Sequence, residues 1–456
     1  MAGESGLGLR PGERQGSGTR SEEPIRPGRV ARLAWPIAVQ MLSYTAMGLV
    51  DALFVGQLGT AALAAVGLGS TVGHLVQAGG IGLVSGTRVA VSQAHGAEEP
   101  ERARLSAWSG IRLAALLGAI APLACFGVGP LLTVLGAEGD VWRIAVEWSQ
   151  VRILAVPFLL GTVALSGWFQ GRGDTRTPMV ATLVANGVNI ALDALLIFGW
   201  GPFVGIGAVG AAASTVAGSA SGLLVLAIAA RQSLETAPGR ASSALRRVLE
   251  LGMPIGVRYL LEVGAFGVFA ALLASVGEAA LAAHIVVIRV VSVSFLPGHA
   301  VGEAASVLVG QAVGAGSRLR ARTAWSSATL VATVVMGAFA VVFVAVPDLL
   351  LVGFSLEPEV LVVASDLMLL AAAFQVMDAV AMVGLGALAG AGETRFTMVL
   401  GVAAGWLVKL PLGAVLVLWT DLGAAGAWWG LMAEIAVVAV IVVVRVRRAP
   451  WARLAS

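Results

Sequence analysis

Residues 185–199 read ANGVNIALDALLIFG, apolar enough to cross a bilayer yet carrying Asn186, Asn189 and Asp193. The three stand at i, i+3 and i+7, so a helix sets them on one face. A carboxylate at membrane depth costs about 2.5–3.5 kcal/mol on insertion scales. It therefore needs donors, a proton or a cation, and the two amides can donate to Asp193. An acid so placed can take up and release a proton, or its oxygens can help coordinate Na⁺. A polar contact that only joins helices is the structural alternative. Further acids interrupt apolar stretches at Asp51, Glu262, Glu303, Asp366, Asp378 and Glu434. Asp51 and Asp193 each fall about six residues, roughly 9 Å, from the same side of the membrane, which places them in one water-filled cavity of the N-terminal half. Glu262 and Asp378 fall mid-span in the C-terminal half. Asp366 and Glu434 lie nearer span ends and read as solvated, and Glu303 has Arg289 or Arg88 as a counter-ion.

These acids lie in a chain built for lipid. Of its 456 residues 58% are hydrophobic and 12% charged, with a mean hydropathy of +0.90. A soluble protein of this size could not hide that much apolar surface, whereas membrane helices of about 20 apolar residues each can. Long unbroken apolar runs exclude a β-barrel, and the 59 glycines suit close helix–helix approach. Twelve apolar segments run near 31–56, 62–91, 105–135, 144–169, 178–199, 206–230, 248–275, 280–311, 322–352, 360–389, 396–419 and 423–445. The fold class is an all-α polytopic membrane protein. An even number of spans puts both termini on one side, and 22 of the 29 Lys and Arg lie in the tails and loops of that side against one, Arg143, opposite. Both termini are therefore expected in the cytoplasm of a cell inner (plasma) membrane protein. The arginines serve topology, so the net charge of +3 implies no nucleic-acid partner.

Other chemistry is poorly represented. The single cysteine, Cys125, makes no intramolecular disulfide or metal cluster and reads as packing. No GxxxxGK[ST], HExxH, CxxC or GxSxG occurs, and the sole lysine, Lys409, precedes Leu-Pro and belongs to no phosphate loop. His74, His95, His284 and His299 are scattered. The segments outside the membrane are too short for a catalytic domain, so no enzyme and no cofactor are expected. Trp35, Phe54, Trp168, Phe266 and Phe374 are candidates for cation–π contact, with lipid-facing or packing roles as the bland reading.

The two halves repeat. LAWPIAVQ (33–40) pairs with LGMPIGVR (251–258), VSQAHGA (91–97) with VGQAVGA (309–315), GRGDTRTPMV (171–180) with GAGETRFTMV (390–399), and GAVGAAA (207–213) with GAAGAWW (423–429). The offsets, 218, 218, 219 and 216, are nearly constant. Six spans per repeat insert both halves in the same orientation, which predicts two six-helix lobes about an axis along the membrane normal, with a substrate cleft between them. The division is a disordered cytoplasmic tail over 1–29, an N-lobe over 30–231, a cytoplasmic linker over 232–247, a C-lobe over 248–447 and a cytoplasmic tail over 448–456. The acids escape the repeat. The twins of Asp51, Asp193, Glu262 and Asp378 are Phe269, Leu412, Tyr44 and Leu159. A purely architectural acid would more naturally recur in both lobes, so the asymmetry favours ion or substrate coupling.

WP followed by VDALFVGQLG (Pro36, Asp51), then NGVNIALD, GAVGAAASTVAG, GRGDTRTP and GAGETR, in this order over about residues 30–447, resemble the MATE (multidrug and toxic compound extrusion) transporters. The resemblance implies twelve helices in two six-helix lobes forming a V-shaped cleft, and export of cationic, amphipathic small molecules in exchange for H⁺ or Na⁺. It implies ion binding in the N-lobe at Asp51, Asn189, Asp193 and Thr215, and a protonation-linked bend of the first helix at Pro36. Glu262 in MPIGVRYLLE and Asp378 in FQVMDAVAMVGLGALAGAGETR resemble the C-lobe acids of the NorM-like branch, and give a second possible Na⁺ site. VRILAVPFLLGTVALSGWFQGRGDTRTP, with Arg152, is more similar to the DinF-like branch. A monomer is expected. The alternatives are a lipid-linked oligosaccharide flippase of the same superfamily, which the acidic in-span charges disfavour, and a non-transporting membrane protein, which the lobe repeat and isolated acids disfavour.

Overall fold

The structure, a computed structural model, describes residues 23–200, 203–234, 242–354 and 356–448. The expected tail over 1–22, the linker part over 235–241 and residues 449–456 lie outside the described residues. In chain order the helices are α1 (Pro27–Gly56), α2 (Thr60–Gly96), α3 (Pro100–Ile120), α4 (Cys125–Val134), α5 (Gly139–Ile153), α6 (Val156–Gly171), α7 (Arg176–Phe198), α8 (Ala208–Ala230), α9 (Ser242–Val276), α10 (Glu278–Gly314), α11 (Arg318–Ala345), α12 (Pro347–Leu351), α13 (Pro358–Gly390), α14 (Thr394–Ala404), α15 (Leu410–Trp419) and α16 (Gly423–Arg448). Between α7 and α8, β1 (Gly199–Trp200) and β2 (Phe203–Val204) form a short antiparallel hairpin. Among the described residues twelve helical spans are long and apolar enough to cross a membrane, with α3–α4, α5–α6 and α14–α15 each forming one interrupted span. The ninth span is shorter than its apolar run, because Val346 leaves the helix and Pro347 starts the separate α12.

The repeat seen in the sequence is carried by the backbone. Helices α2 and α10 both have 37 residues, about 55 Å at 1.5 Å per residue, so each outruns a hydrocarbon core of about 30 Å. Each follows a tight turn at a glycine with positive φ, Gly59 at 111° and Gly277 at 149°. The GRGD and GAGE motifs are turns of the same kind, with Gly173 at φ 90° and Gly392 at φ 94°, a conformation that L side chains resist. Their acids are structural. Asp174 accepts from the N–H groups of Arg176 (3.0 Å) and Thr177 (3.1 Å) and so caps α7. Glu393 pairs with Arg445 of α16 at 2.7 Å.

The first helix of each lobe packs against the second helix of the other, α1 on α10 and α9 on α2. Small residues permit this. On the α1–α10 side Ala34, Ala300 and Ala304 are buried. On the α2–α9 side glycines meet backbone to backbone: a Cβ on Gly252 would lie 1.9 Å from Leu83 O, and one on Gly82 2.3 Å from Gly256 Cα. From Gly79, where Leu260 still reaches across, the seam ends, and Gly48, Gly67, Gly73 and Gly267 face open space. The lobes thus join at the ends that carry the termini and part towards the opposite side, leaving a V-shaped cleft.

Gly252→Val is expected to lower the detergent unfolding midpoint and destabilise by about 1–3 kcal/mol or more, the usual range for overpacking. Gly67→Val, with no atom within 4 Å of the new Cβ, is expected to leave the midpoint unchanged in the same thermal scan.

Candidate functional site

Three polar groups interrupt the apolar interior. The first lies in the N-lobe between α1, α7 and α8. Asp193 is fully buried and Asp51 half-buried, and their carboxyl groups face each other at hydrogen-bonding range. The Ser214 hydroxyl donates to Asp193 Oδ1. It also lies 3.2 Å from the Asn189 amide and 2.9 Å from Ala211 O, with one proton for all of them. The Asn189 amide meets its neighbours best with its nitrogen 3.1 Å from Asp51 Oδ1 and its oxygen towards the Thr215 N–H (3.3 Å) and Ser214 Oγ (3.2 Å). Asp193 Oδ2 has no donor among the described residues. The cluster therefore has more acceptors than protons, and two carboxyls in contact bond only with a proton or cation between them. Its donor set is all oxygen apart from one amide nitrogen, which suits a hard cation. Arg152 stands within electrostatic reach of Asp51 and Tyr44.

Two expectations change here. The amides of α7 do not both serve Asp193: Asn186 donates to Ser43 of α1 and Asn189 reaches Asp51, while Ser214, absent from the sequence reading, holds Asp193. Shared helix face did not decide partnership, because at the height of Ala185 α8 presents Gly218 and Gly222, which have no side-chain polar group, while α1 presents Ser43. Thr215 gives its hydroxyl to Ala211 O at 2.9 Å within its own helix, and its backbone N–H meets Asn189.

The second group is the floor of the cleft. Arg88 of α2 pairs with Glu303 of α10 across the lobes, so Glu303 takes Arg88, and Arg289 is exposed. Gln170 links this pair to α1, accepting from Arg88 (3.4 Å) and donating to Gln40 (3.3 Å). Below it the lobes are latched with two-fold symmetry. Gln93 of the N-lobe donates to Gly390 O at 2.9 Å, and its twin Gln311 of the C-lobe donates to Gly171 O at 2.9 Å. Gly96 and Gly314 lie so close across the seam that a Cβ on either would come within 1.9 Å of the opposite glutamine's carbonyl. The QAHGA and QAVGA motifs thus close the terminus-bearing end.

The third group is a C-lobe cavity of about 400 Å³. Glu262, Asp378 and Glu434 line it together with Phe266, Phe374 and Lys409. Glu262 pairs with Arg258 at 3.5 Å along α9. Glu434 is not solvated as its position suggested. Its side chain is 16% exposed and lies 3.1 Å from Lys409, which is 2% exposed. Distance along the span misled because α16 turns that face inwards. Asp366 is exposed, as read. Of the five candidate aromatics, Phe266 and Phe374 reach the cavity. Trp168 is packed with its N–H on Ser233 (3.1 Å), Trp35 lies under Arg176, and Phe54 packs on Phe198. His299 also lines the cavity, while His284 is buried against Phe269 and Trp428.

The sequence pattern of the MatE family matches residues 36–195 and 254–415. The probable multidrug resistance protein NorM of Pseudomonas aeruginosa is 32% identical over 426 residues, covering 90% of this chain and 87% of that protein. The probable NorM of Deinococcus radiodurans is 31% identical over 411 residues, covering 88% and 91%. Two solved structures have the same fold. A MATE protein in the bent conformation superposes with a TM-score of 0.86 at 23% identity, covering 94% of this chain and 96% of that one. An outward-facing multidrug resistance MATE family transporter of the MOP superfamily gives a TM-score of 0.86 at 23% identity, covering 97% and 99%.

Replacing both latch glutamines with alanine removes two hydrogen bonds worth about 1 kcal/mol each, enough to raise the population open at the terminus-bearing end up to about thirtyfold. With Cys125→Ser and a reporter Ser92→Cys in the seam, maleimide labelling is expected to accelerate in the Gln93→Ala/Gln311→Ala protein and to stay slow with the glutamines intact.

Proposed function

The chain belongs to the MatE family, and from that premise we propose that it is a secondary active antiporter, exporting small cationic, amphipathic compounds in exchange for H⁺ or Na⁺ by alternating access. The observation that carries the reading is Asp193 Oδ2, a buried carboxylate oxygen without a donor, set against the carboxyl of Asp51 on a different helix. A proton or a Na⁺ ion supplies what that oxygen lacks, and ties α1 to α7 when it binds. The relatives are named multidrug resistance proteins, which supports small-molecule cargo and lends nothing to a lipid-linked oligosaccharide.

With both termini in the cytoplasm, as the arginine distribution implies, the cleft described above faces outwards. An ion entering from outside binds between Asp51 and Asp193, with Asn189 holding Asp51 and Ser214 holding Asp193. The gained contact draws α1 towards α7. Pro36 lies inside α1 and has no N–H to complete the turn, so bending concentrates there. Loss of negative charge weakens the hold on an organic cation, which leaves to the outside. The Gln93 and Gln311 latch then opens, the ion departs inwards, and a new cation enters the C-lobe cavity at Glu262, Asp378 and Phe266. The cycle requires that ion and cargo bind the two states with different affinities. A 400 Å³ cavity lies within the usual range for small-molecule sites, and an aromatic face beside carboxylates suits an organic cation.

In proteoliposomes carrying a fluorescent organic cation, flux is expected under a pH gradient alone or a Na⁺ gradient alone, and Asp193→Asn is expected to reduce it at least about a hundredfold, the loss expected for about 2.7 kcal/mol of a buried charged interaction. Undiminished flux in Asp193→Asn under both gradients would contradict the N-lobe site. Flux that survives Asp193→Asn and falls with Glu262→Gln or Asp378→Asn would move the coupling site to the C-lobe.

A further inference from the structure

The chain has one lysine, Lys409, and its ammonium is buried inside the bundle. The backbone places it there. Residues Gly405–Lys409 form a single turn of π-helix in which the N–H of Leu410 reaches back to Gly405 O. Pro411 follows at the start of α15 and cannot donate to the turn before it, which lets the helix take the wider turn. Lys409 follows the buried Gly405 by four residues, on the inward face of the helix, and lines the cavity. Gly405 lies beside the pair: a Cβ there would be in ordinary contact, 3.4 Å from Glu434 Oε1 and 3.9 Å from Lys409 Nζ.

The ammonium rests on two groups. Glu434 Oε2 lies 3.1 Å away, and the centroid of the Phe266 ring lies 4.1 Å away. A carboxylate and an aromatic face are the two groups by which a protein recognises an organic cation. Phe266 is 43% exposed and lines the cavity. Asp378 is within electrostatic reach of Glu434, and so is Glu262. Neither member of the ion pair has a charged twin. Shifted by the repeat offsets, Lys409 falls on Ile190 and Glu434 on Gly218. The pair therefore serves the C-lobe cavity rather than the shared scaffold.

We infer that Lys409 is a tethered internal cation that occupies the Phe266–Glu434 subsite, and that an organic cation binds by displacing it. This deepens the reading of the chain as a transporter of organic cations and rests on it. While the cavity is without cargo, the ammonium neutralises Glu434, so that Glu434 is never left alone in a low-dielectric wall. When an aryl cation enters, it takes the ring face and the carboxylate, and the ammonium, on its flexible four-carbon stem, turns into the cavity towards Asp378 and Glu262. Every cargo then competes with Lys409. Affinity is held down, which favours release, and ligands without positive charge cannot replace the ammonium. Lys409 is thus a specificity-determining residue that selects for charge.

The test is equilibrium binding of tetraphenylphosphonium to the purified full-length protein. Lys409→Met, which removes the competitor and keeps the volume, is expected to bind the probe about tenfold more tightly than wild type, equivalent to about 1.4 kcal/mol. The gain is expected to vanish in Lys409→Met/Glu434→Gln and in Lys409→Met/Phe266→Leu, and to be absent for the neutral probe triphenylphosphine oxide. Unchanged or weaker tetraphenylphosphonium binding by Lys409→Met overturns the inference while leaving the transport reading intact. No binding by wild type or any variant overturns the transport reading as well. A second measurement needs no substitution. Because Lys409 is the sole lysine, its acetylation by an amine-selective reagent can be followed by mass spectrometry in the native chain. Saturating tetraphenylphosphonium is expected to speed that acetylation at least about threefold if displacement is worth about 0.7 kcal/mol or more, and a rate that is unchanged or lower overturns displacement.

Discussion

A charge inside a membrane-spanning bundle has no water to hold it, so its neighbours must, and each of the three polar groups in this protein meets that demand differently. Arg88 and Glu303 neutralise each other across the lobes, backed by Gln170 and Gln40. That pair ties the lobes and lines the C-lobe cavity, with Arg88 Nε lacking a partner among the described residues. Lys409 and Glu434 neutralise each other beside a cavity with room for something else. Asp51 and Asp193 do not neutralise each other at all. Two acids in contact leave a place for a proton or a cation between them, and we propose that ion binding there ties α1 to α7.

Symmetry supplies the moving parts and asymmetry the chemistry. The twin helices α2 and α10, the twin glycine turns and the twin glutamines that cross the seam make two lobes that join at one closed end. The backbone contacts there are so close that glycine is required at Gly252 and Gly314, and a packed seam of that kind switches between arrangements rather than deforming continuously. Into this frame the N-lobe sets two acids where the C-lobe has Phe269 and Leu412, and the C-lobe sets Glu262 and Asp378 where the N-lobe has Tyr44 and Leu159. In the proposed exchange, cargo and ion act on different lobes and are linked because both bias the same closure.

Much of this is legible in the sequence because it follows from periodicity. Twelve apolar runs, the internal repeat and the α-helical face shared by Asn189 and Asp193 are properties of spacing, and the structure has them. Partners are not properties of spacing. Asn186 stands on the same face as Asp193 but finds Ser43 of α1, since α8 presents glycines, Gly218 and Gly222, against the adjacent Ala185. Ser214 holds Asp193 from another helix, and a serine in a run of alanines and glycines gives no signal of its own. Glu434 looked solvated because depth along a span says nothing of which way the span faces. Lys409 was set aside for lacking a phosphate-loop context, although a single lysine in an apolar segment followed by proline is itself the signal of a wider helical turn. The GRGDTR and GAGETR motifs are conspicuous in the sequence, and their acids cap and brace turns.

The central claim is that one small ion and one organic cation compete, at a distance, for the same protein. Linkage makes this measurable without a membrane, since an ion that weakens cargo binding must be expelled by cargo. The measurement is ion release from detergent-solubilised protein on adding a saturating organic cation, followed with a pH indicator in weak buffer and, in parallel, with radioactive Na⁺. Release of protons or of Na⁺, abolished by Asp193→Asn, is the expected result. Cargo binding of full strength that expels neither ion at any pH would contradict exchange through the Asp51–Asp193 pair.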